Sequence, residues 1–244
     1  MSTKKERAAL TRARILDGAF ELFSERGFHA TAITEVARRS GVASQTVYFT
    51  FHSKAELLRA VIVSRRTGPD GTGEIAAMPW MSEAMAEPDQ RRTIALVVEH
   101  ATEIFRRLAP IADAMTAAGL DDPELSEHLE LTRHERRNGM AAMIAALARK
   151  GPLAVPEDRA VDILDVVQSM TTYNAFVDGC EWTVEQYKAW AYRTLVLVLP
   201  AMSIDDARRA DLSATKGLSY HDLVAAEVGG PIRTPARNAK RSDR

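Results

Sequence analysis

The run Ser44, Gln45, Thr46, Val47, Tyr48, Phe49, Thr50 gathers side chains able to read a nucleic acid into seven consecutive residues. Gln45 carries a donor and an acceptor on one planar amide, which matches the hydrogen-bonding edge of adenine. Ser44 and Thr46 flank it, and Tyr48, Phe49 and Thr50 follow on the next helical turn. Phe49 can lie against a thymine methyl. Tyr48 is read in two ways, as a core aromatic only, or as a packed ring whose hydroxyl reaches a phosphate; Phe51 is read as core. Lys54 stands where the next helix begins, beside the nucleic-acid backbone, and is assigned to a phosphate.

Chemistry of other kinds lacks its residues. The chain contains no HExxH, no GxSxG, no glycine-rich phosphate loop and no Cys/His cluster, so catalysis is not expected. Asp121/Asp122 and Asp205/Asp206 fall at element ends, where carboxylates suit helix starts. His100, His128, His134 and Glu135 are too scattered for a metal-responsive centre. We expect no metal and no cofactor.

A reading residue is useful only if a scaffold presents it. Residues 10–26 form a helix with Ile15, Ala19, Phe20, Leu22 and Phe23 on one stripe, and Gly27 stops it. Residues 33–40 form a short second helix with Ile33, Val36 and Ala37 inward. Gly41 permits the left-handed turn of a tight corner, and Val42 plugs it. Residues 44–50 form the third helix, with Val47 and Phe51 buried, and residues 54–66 the fourth. Two short helices joined at a glycine corner and packed on a longer one are the geometry that sets a helix into a major groove about 12 Å wide. The caps of helices two and three are alanines, Ala32 and Ala43, and Glu35 supplies half of a capping box. Thr31 and Ser44 are the alternative caps if either helix starts elsewhere.

The stretch from Arg14 to Val61 resembles the DNA-binding domain of the TetR/AcrR repressors. It carries the Gly-Val turn (Gly41, Val42), the T-[LV]-Y-x-x-F core (Thr46, Val47, Tyr48, Phe51) and the Ser-Lys start of helix four (Ser53, Lys54). The resemblance implies a homodimer bound to a palindromic double-stranded DNA operator, usually as a repressor, and released when a small molecule enters the C-terminal domain. By position it carries operator contacts over to Thr34, Ser44, Gln45, Thr46, Tyr48, Phe49, Thr50 and Lys54.

The implied fold is all-α: an N-terminal three-helix helix-turn-helix DNA-binding domain (1–53), with helix four (54–66) connecting it to a C-terminal helical ligand-binding and dimerisation domain (54–230). Residues 67–90 read as a Gly-, Pro- and Met-rich connector with room for one short helix. Helices follow over 90–118, bent at Pro110, and over 123–150, 156–178 and 183–199. The 156–178 helix is apolar on too many sides for one stripe, so pairing with its copy would bury it. Val166, Met170, Phe176, Trp182, Trp190 and Leu195 are the expected dimer contacts; the segment CEWTVEQYKAW is similar to the link between dimerisation helices in some subgroups of that family. A pocket is expected among the 90–118, 123–150 and 156–178 helices. Its polar candidates are His100, His128, Thr132, Gln168, Thr172 and Tyr173. Its wall candidates are Phe105, Met115, Met140 and Met143; taken singly, each candidate reads more readily as something plainer, the Met and Phe residues as core and His100 or His128 as a solvated edge. Such a lining suits a small hydrophobic effector.

Charge is distributed to match. Residues 1–67 carry 12 Lys/Arg against 6 Asp/Glu, residues 68–230 carry 15 against 26, and residues 231–244 carry 5 against 1. A basic head on an acidic body points to a polyanion at the head, or to short basic segments that are merely solvated. Short helices are expected over 204–212 and 220–227, and the basic tail 231–244 is expected to be disordered. A single cysteine, Cys180, allows no internal disulfide. No apolar run is long enough to span a bilayer and no signal segment is evident, so a cytoplasmic protein without membrane contact is expected. Other readings of the fold are an activator, an effector-independent regulator, a metal-responsive regulator or a nucleoid protein indifferent to sequence.

Overall fold

The computed structural model describes residues 3–67, 78–200, 219–228 and 230. These residues are helical throughout and contain no strand ladder, only an isolated antiparallel bridge between Leu153 and Pro200. The expected 204–212 helix and the 231–244 tail lie outside the described residues. Two compact units divide the chain: Met1–Met78 with Arg106–Arg136, and Pro79–Phe105 with Arg137–Arg244.

The first unit opens with α1 (Lys4–Arg26), which begins six residues before the expected start. The cause is a capping box: the Thr3 hydroxyl accepts from the Glu6 N–H at 3.2 Å, and Glu6 Oε2 accepts from the Thr3 N–H at 2.8 Å. Then come α2 (Ile33–Ser40), α3 (Ser44–Phe51) and α4 (Lys54–Thr67). Their core is Ile15, Ala19, Leu22, Phe23, Val36, Val47, Leu57, Leu58 and Val61, each almost wholly buried. Apart from Ala19, such side chains contribute about 1.5–3 kcal/mol apiece when removed from water. Gly18 permits the close crossing of α1 and α2, since a Cβ there would stand 2.6 Å from the Ser40 hydroxyl. The unit also holds α7 (Ala112–Asp121) and the beginning of α8 (Pro123–Lys150). The helix expected over 90–118 is divided: α6 (Gln90–Leu108) ends in a tight turn, Ala109–Ile111, because Pro110 has no N–H to continue it.

The second unit contains α5 (Pro79–Ala86), most of α6, the end of α8, α9 (Glu157–Val167), α10 (Met170–Asn174), α11 (Val184–Val198) and α12 (Tyr220–Val228). The single helix expected over 156–178 is broken at Gln168. The carbonyls that would continue it are taken by side chains. Thr172 Oγ1 donates to the Val166 carbonyl at 2.6 Å, Ser169 Oγ donates to it at 2.9 Å, and the Tyr187 hydroxyl donates to the Val167 carbonyl at 2.8 Å. Ser169 then caps α10 by accepting from the Thr172 N–H. Buried among the apolar residues of this unit is an ion pair, Lys188 to Glu99 at 2.9 Å.

Candidate nucleic-acid interface

The corner before α3 is built as the sequence requires. Gly41 takes φ 65° and ψ 38°, the left-handed conformation, and the Val42 N–H closes α2 by donating to the Ala37 carbonyl at 3.0 Å. Val47 and Phe51 anchor α3 in the core, which turns Gln45, Tyr48 and Phe49 outward. Tyr48 is 51% exposed and Phe49 85%. The two rings are consecutive and both open to solvent on the outward face of α3. Thr34 is exposed, while Ser44, Thr46 and Thr50 are half-buried. The Thr50 hydroxyl donates back to the Thr46 carbonyl at 2.7 Å, so its proton is engaged within the helix.

Neither Ala32 nor Ala43 supplies a side-chain cap. Thr31 is no substitute, because its buried hydroxyl donates to the Gly27 carbonyl at 2.7 Å and the Leu22 carbonyl at 3.2 Å. The half capping box is present: Glu35 accepts from the Ala32 N–H at 3.4 Å. Glu35 also holds Arg26 at 2.6 Å, and Arg39 holds Glu21 and Glu25 at 2.9 and 3.1 Å. The hydrogen bond from Arg39 keeps the Glu25 carboxyl below its usual range, and that from Arg26 does the same for Glu35. These arginines clamp α1 to α2.

Lys54, assigned from sequence to a phosphate, has an inward task as well. Its ammonium donates to the Phe28 carbonyl at 2.8 Å and the His29 carbonyl at 3.3 Å, and burial lowers its pKa.

The ten pocket candidates divide between the units. Met115, His128 and Thr132 belong to the first, where His128 alone among them lines a cleft of about 380 Å³. Ala55, Glu56 and Arg59 of α4 and Glu124, Leu125, Glu127 and Leu131 of α8 complete that cleft. Burial, then Arg59 and Arg66, hold the His128 pKa below its ordinary value against the opposing pull of Glu135. Sequence reasoning missed Glu56 and Arg59: they share the polar face of α4, and nothing in the sequence pairs that face with α8. In the second unit, His100 stacks on Trp80 with centroids 5.0 Å apart. Phe105 and Tyr173 are brought together at 5.9 Å. Met143 and Gln168 are buried, Met140 is half-buried, and Thr172 is tied to the α9 terminus. Among the described residues no group of three or more His, Cys, Asp or Glu is placed to hold a metal.

Of the expected dimer contacts, Val166 is 65% exposed and lies with Ile163 and Val167 on an apolar patch of α9. Met170, Phe176, Trp182 and Trp190 are half-buried, and Phe176 touches Trp182 and Trp190 at centroid distances of 4.5 and 4.3 Å. Leu195 must be corrected: it is 0% exposed, packed inside its own chain, and has no surface for a partner.

A helix-turn-helix head with a solvent-facing third helix, followed by an all-helical body, is the arrangement of a DNA-binding regulator. The model of the bacterial regulatory proteins of the tetR family matches residues 15–61, and this stretch of the chain is a DNA-binding domain of that family. Over 56 residues it is 41% identical to the HTH-type transcriptional regulator SrpR of Pseudomonas putida, a match spanning 23% of this chain and 26% of SrpR. Over 182 residues it is 24% identical to the probable HTH-type transcriptional regulator ArpR of Pseudomonas putida, covering 72% of this chain and 80% of ArpR. The fold is similar to that of SmeT in complex with triclosan (TM-score 0.58, 20% identity, 76% of this chain and 90% of SmeT). SmeT is described as the repressor of the Stenotrophomonas maltophilia multidrug efflux pump SmeDEF. Among the described residues no helix is long and apolar enough to cross a membrane.

Proposed function

We propose that the chain is a cytoplasmic homodimeric repressor that reads a palindromic operator through α3 and releases it on binding a small hydrophobic effector. The observation that carries this is the outward face of α3, where Gln45, Tyr48 and Phe49 stand exposed beyond the Gly41 corner in a basic head. Residues 1–53 are the reading domain in this proposal, α4 is the connector, and residues 54–230 supply the effector site and the dimer. A two-fold symmetric protein matches a two-fold symmetric site, which is why a palindrome is expected. SmeT, a repressor caught with triclosan, supports the repressor and hydrophobic-effector parts. Lys54 retains one of its three donors for a phosphate.

Selection of bound sequences from a random DNA pool tests the reading. A palindrome with half-sites about 10 base pairs apart, or a multiple of that, is expected. Recovery of no preferred sequence would overturn it. Gln45→Ala is then expected to cost about 1–3 kcal/mol and to relax one position in each half-site.

A further inference from the structure

The first two turns of α1 have no role in the core of the head. Every residue from Thr3 to Leu10 is exposed, and the first buried residue of the helix is Ile15. The capping box at Thr3 and Glu6 nevertheless holds this stretch helical. Its outward residues include Lys4, Lys5 and Arg7, and among the described residues none of the three has a carboxylate partner. Lys4 and Lys5 stand at the positive end of the helix dipole, where a cation is disfavoured and an anion is attracted. The one carboxylate of this stretch, Glu6, accepts from the Thr3 N–H, so residues 3–10 carry three cations against one anion.

The same helix runs on to the reading corner. The Arg12 guanidinium lies 4.7 Å from the centroid of the Phe51 ring of α3. Arg14 reaches the turn at Gly41, where a Cβ would meet its guanidinium nitrogen at 3.9 Å. Arg7 lies two turns before Arg14 and on nearly the same face, displaced by about 20°. From Arg14 back to Lys4 the helix extends about 15 Å beyond that corner. That reach exceeds the major-groove width of about 12 Å. A basic stripe therefore starts at the corner that presents α3 and continues outward from it.

We propose that Lys4, Lys5 and Arg7 form a phosphate clamp on the DNA backbone flanking the site read by α3. The clamp rests on the DNA-binding reading above and adds to it a sequence-independent contact made by a different helix. Its occupant is double-stranded DNA, by charge complementarity and by continuity with the α3 surface. It strengthens binding to every sequence and carries no base preference.

The test is a salt titration of affinity for the selected operator, using the full chain and its Lys4→Ala/Lys5→Ala/Arg7→Ala variant. Alanine is the best helix former and the positions are exposed, so the variant is expected to melt as the wild type does. Each phosphate left without its cation makes the slope of log K against log salt shallower by about 0.9. Two such phosphates thus reduce the fall in affinity between 50 and 200 mM salt by about tenfold. A second selection with the variant is expected to return the same palindrome, and Lys4→Arg/Lys5→Arg to keep the wild-type slope. A variant with unchanged slope and affinity overturns the clamp while leaving the regulator reading intact, as does a variant with altered base preference. A wild type that selects no sequence overturns both.

Discussion

The Lys54 ammonium donates a 2.8 Å hydrogen bond to the Phe28 carbonyl and sits 4.4 Å from the centroid of the Phe28 ring. Its second bond, to the His29 carbonyl, ties the start of α4 to the loop between α1 and α2. The residue next to the expected DNA backbone is therefore also a fastener of the reading head. Lys54→Met keeps the aliphatic stem and removes the donors. It is expected to destabilise the fold by about 1 kcal/mol, the net worth of such hydrogen bonds at a partly exposed site. It is also expected to weaken binding to operator and random DNA by a similar factor. Urea unfolding and binding assays check both. Full stability with abolished binding would assign Lys54 to the phosphate alone.

Ala43 begins α3 without a side-chain acceptor, and Ser44 is already inside the helix. Among the backbone donors of the first turn, the Thr46 N–H reaches the Ala43 carbonyl at 2.9 Å, and no capping side chain serves the others. Ala43→Ser places a hydroxyl at the vacant position and is expected to stabilise the protein by about 1 kcal/mol. For a chain of this size that raises the melting temperature by about 2–4 °C. An unchanged melting point would mean that solvent serves those donors as well as serine does.

The helix-turn-helix was legible because each of its parts has a local cause. Gly41 must turn left-handed, Val47 and Phe51 must be inward, and Gln45 and Phe49 are then outward whatever the rest of the chain does. The boundaries of α2 follow from the same logic. Other features depend on partners distant in sequence. The break at Gln168 follows from the Tyr187 hydroxyl taking the Val167 carbonyl, a contact between residues 20 apart. The sequence alone does not tell the buried face of the Leu195 helix from a dimer face, because an apolar helix of unknown neighbours has no assigned inside. The early start of α1 has a local cause as well, the capping-box spacing of Thr3 and Glu6.

His128 gives the first unit a pH response with a definite sign. Burial and the facing guanidinium groups of Arg59 and Arg66 lower its folded pKa beneath the unfolded value of about 6.5, while Glu135 opposes them. Between the two pKa values the unfolded chain binds more protons than the folded one. The stabilisation is thus complete above about pH 6.5 and is lost as pH falls from there through the folded pKa. His128→Gln, which cannot titrate, is expected to flatten this acid limb of the stability profile while leaving the profile above pH 7 parallel to that of the wild type. Denaturant midpoints measured across that range decide the matter, and an acid limb identical in the variant would remove His128 as its source.

Val166 and Leu195 make opposite predictions about the dimer, although both were expected at its surface. Val166 is 65% exposed on the apolar patch of α9, whereas Leu195 is wholly buried. Val166→Glu places a charge where a single chain has only water, so the folded monomer should tolerate it. In a dimer built on that patch the same carboxylate would be stripped of water without a partner. Its expected effect is a shift to half the mass by analytical ultracentrifugation, with weaker binding to a two-half-site operator because the heads no longer bind as a linked pair. Leu195→Ala removes buried packing instead and is expected to cost about 2–5 kcal/mol of stability. The chains that remain folded should keep the wild-type mass. A Val166→Glu protein that stays dimeric would move the interface off this face of α9.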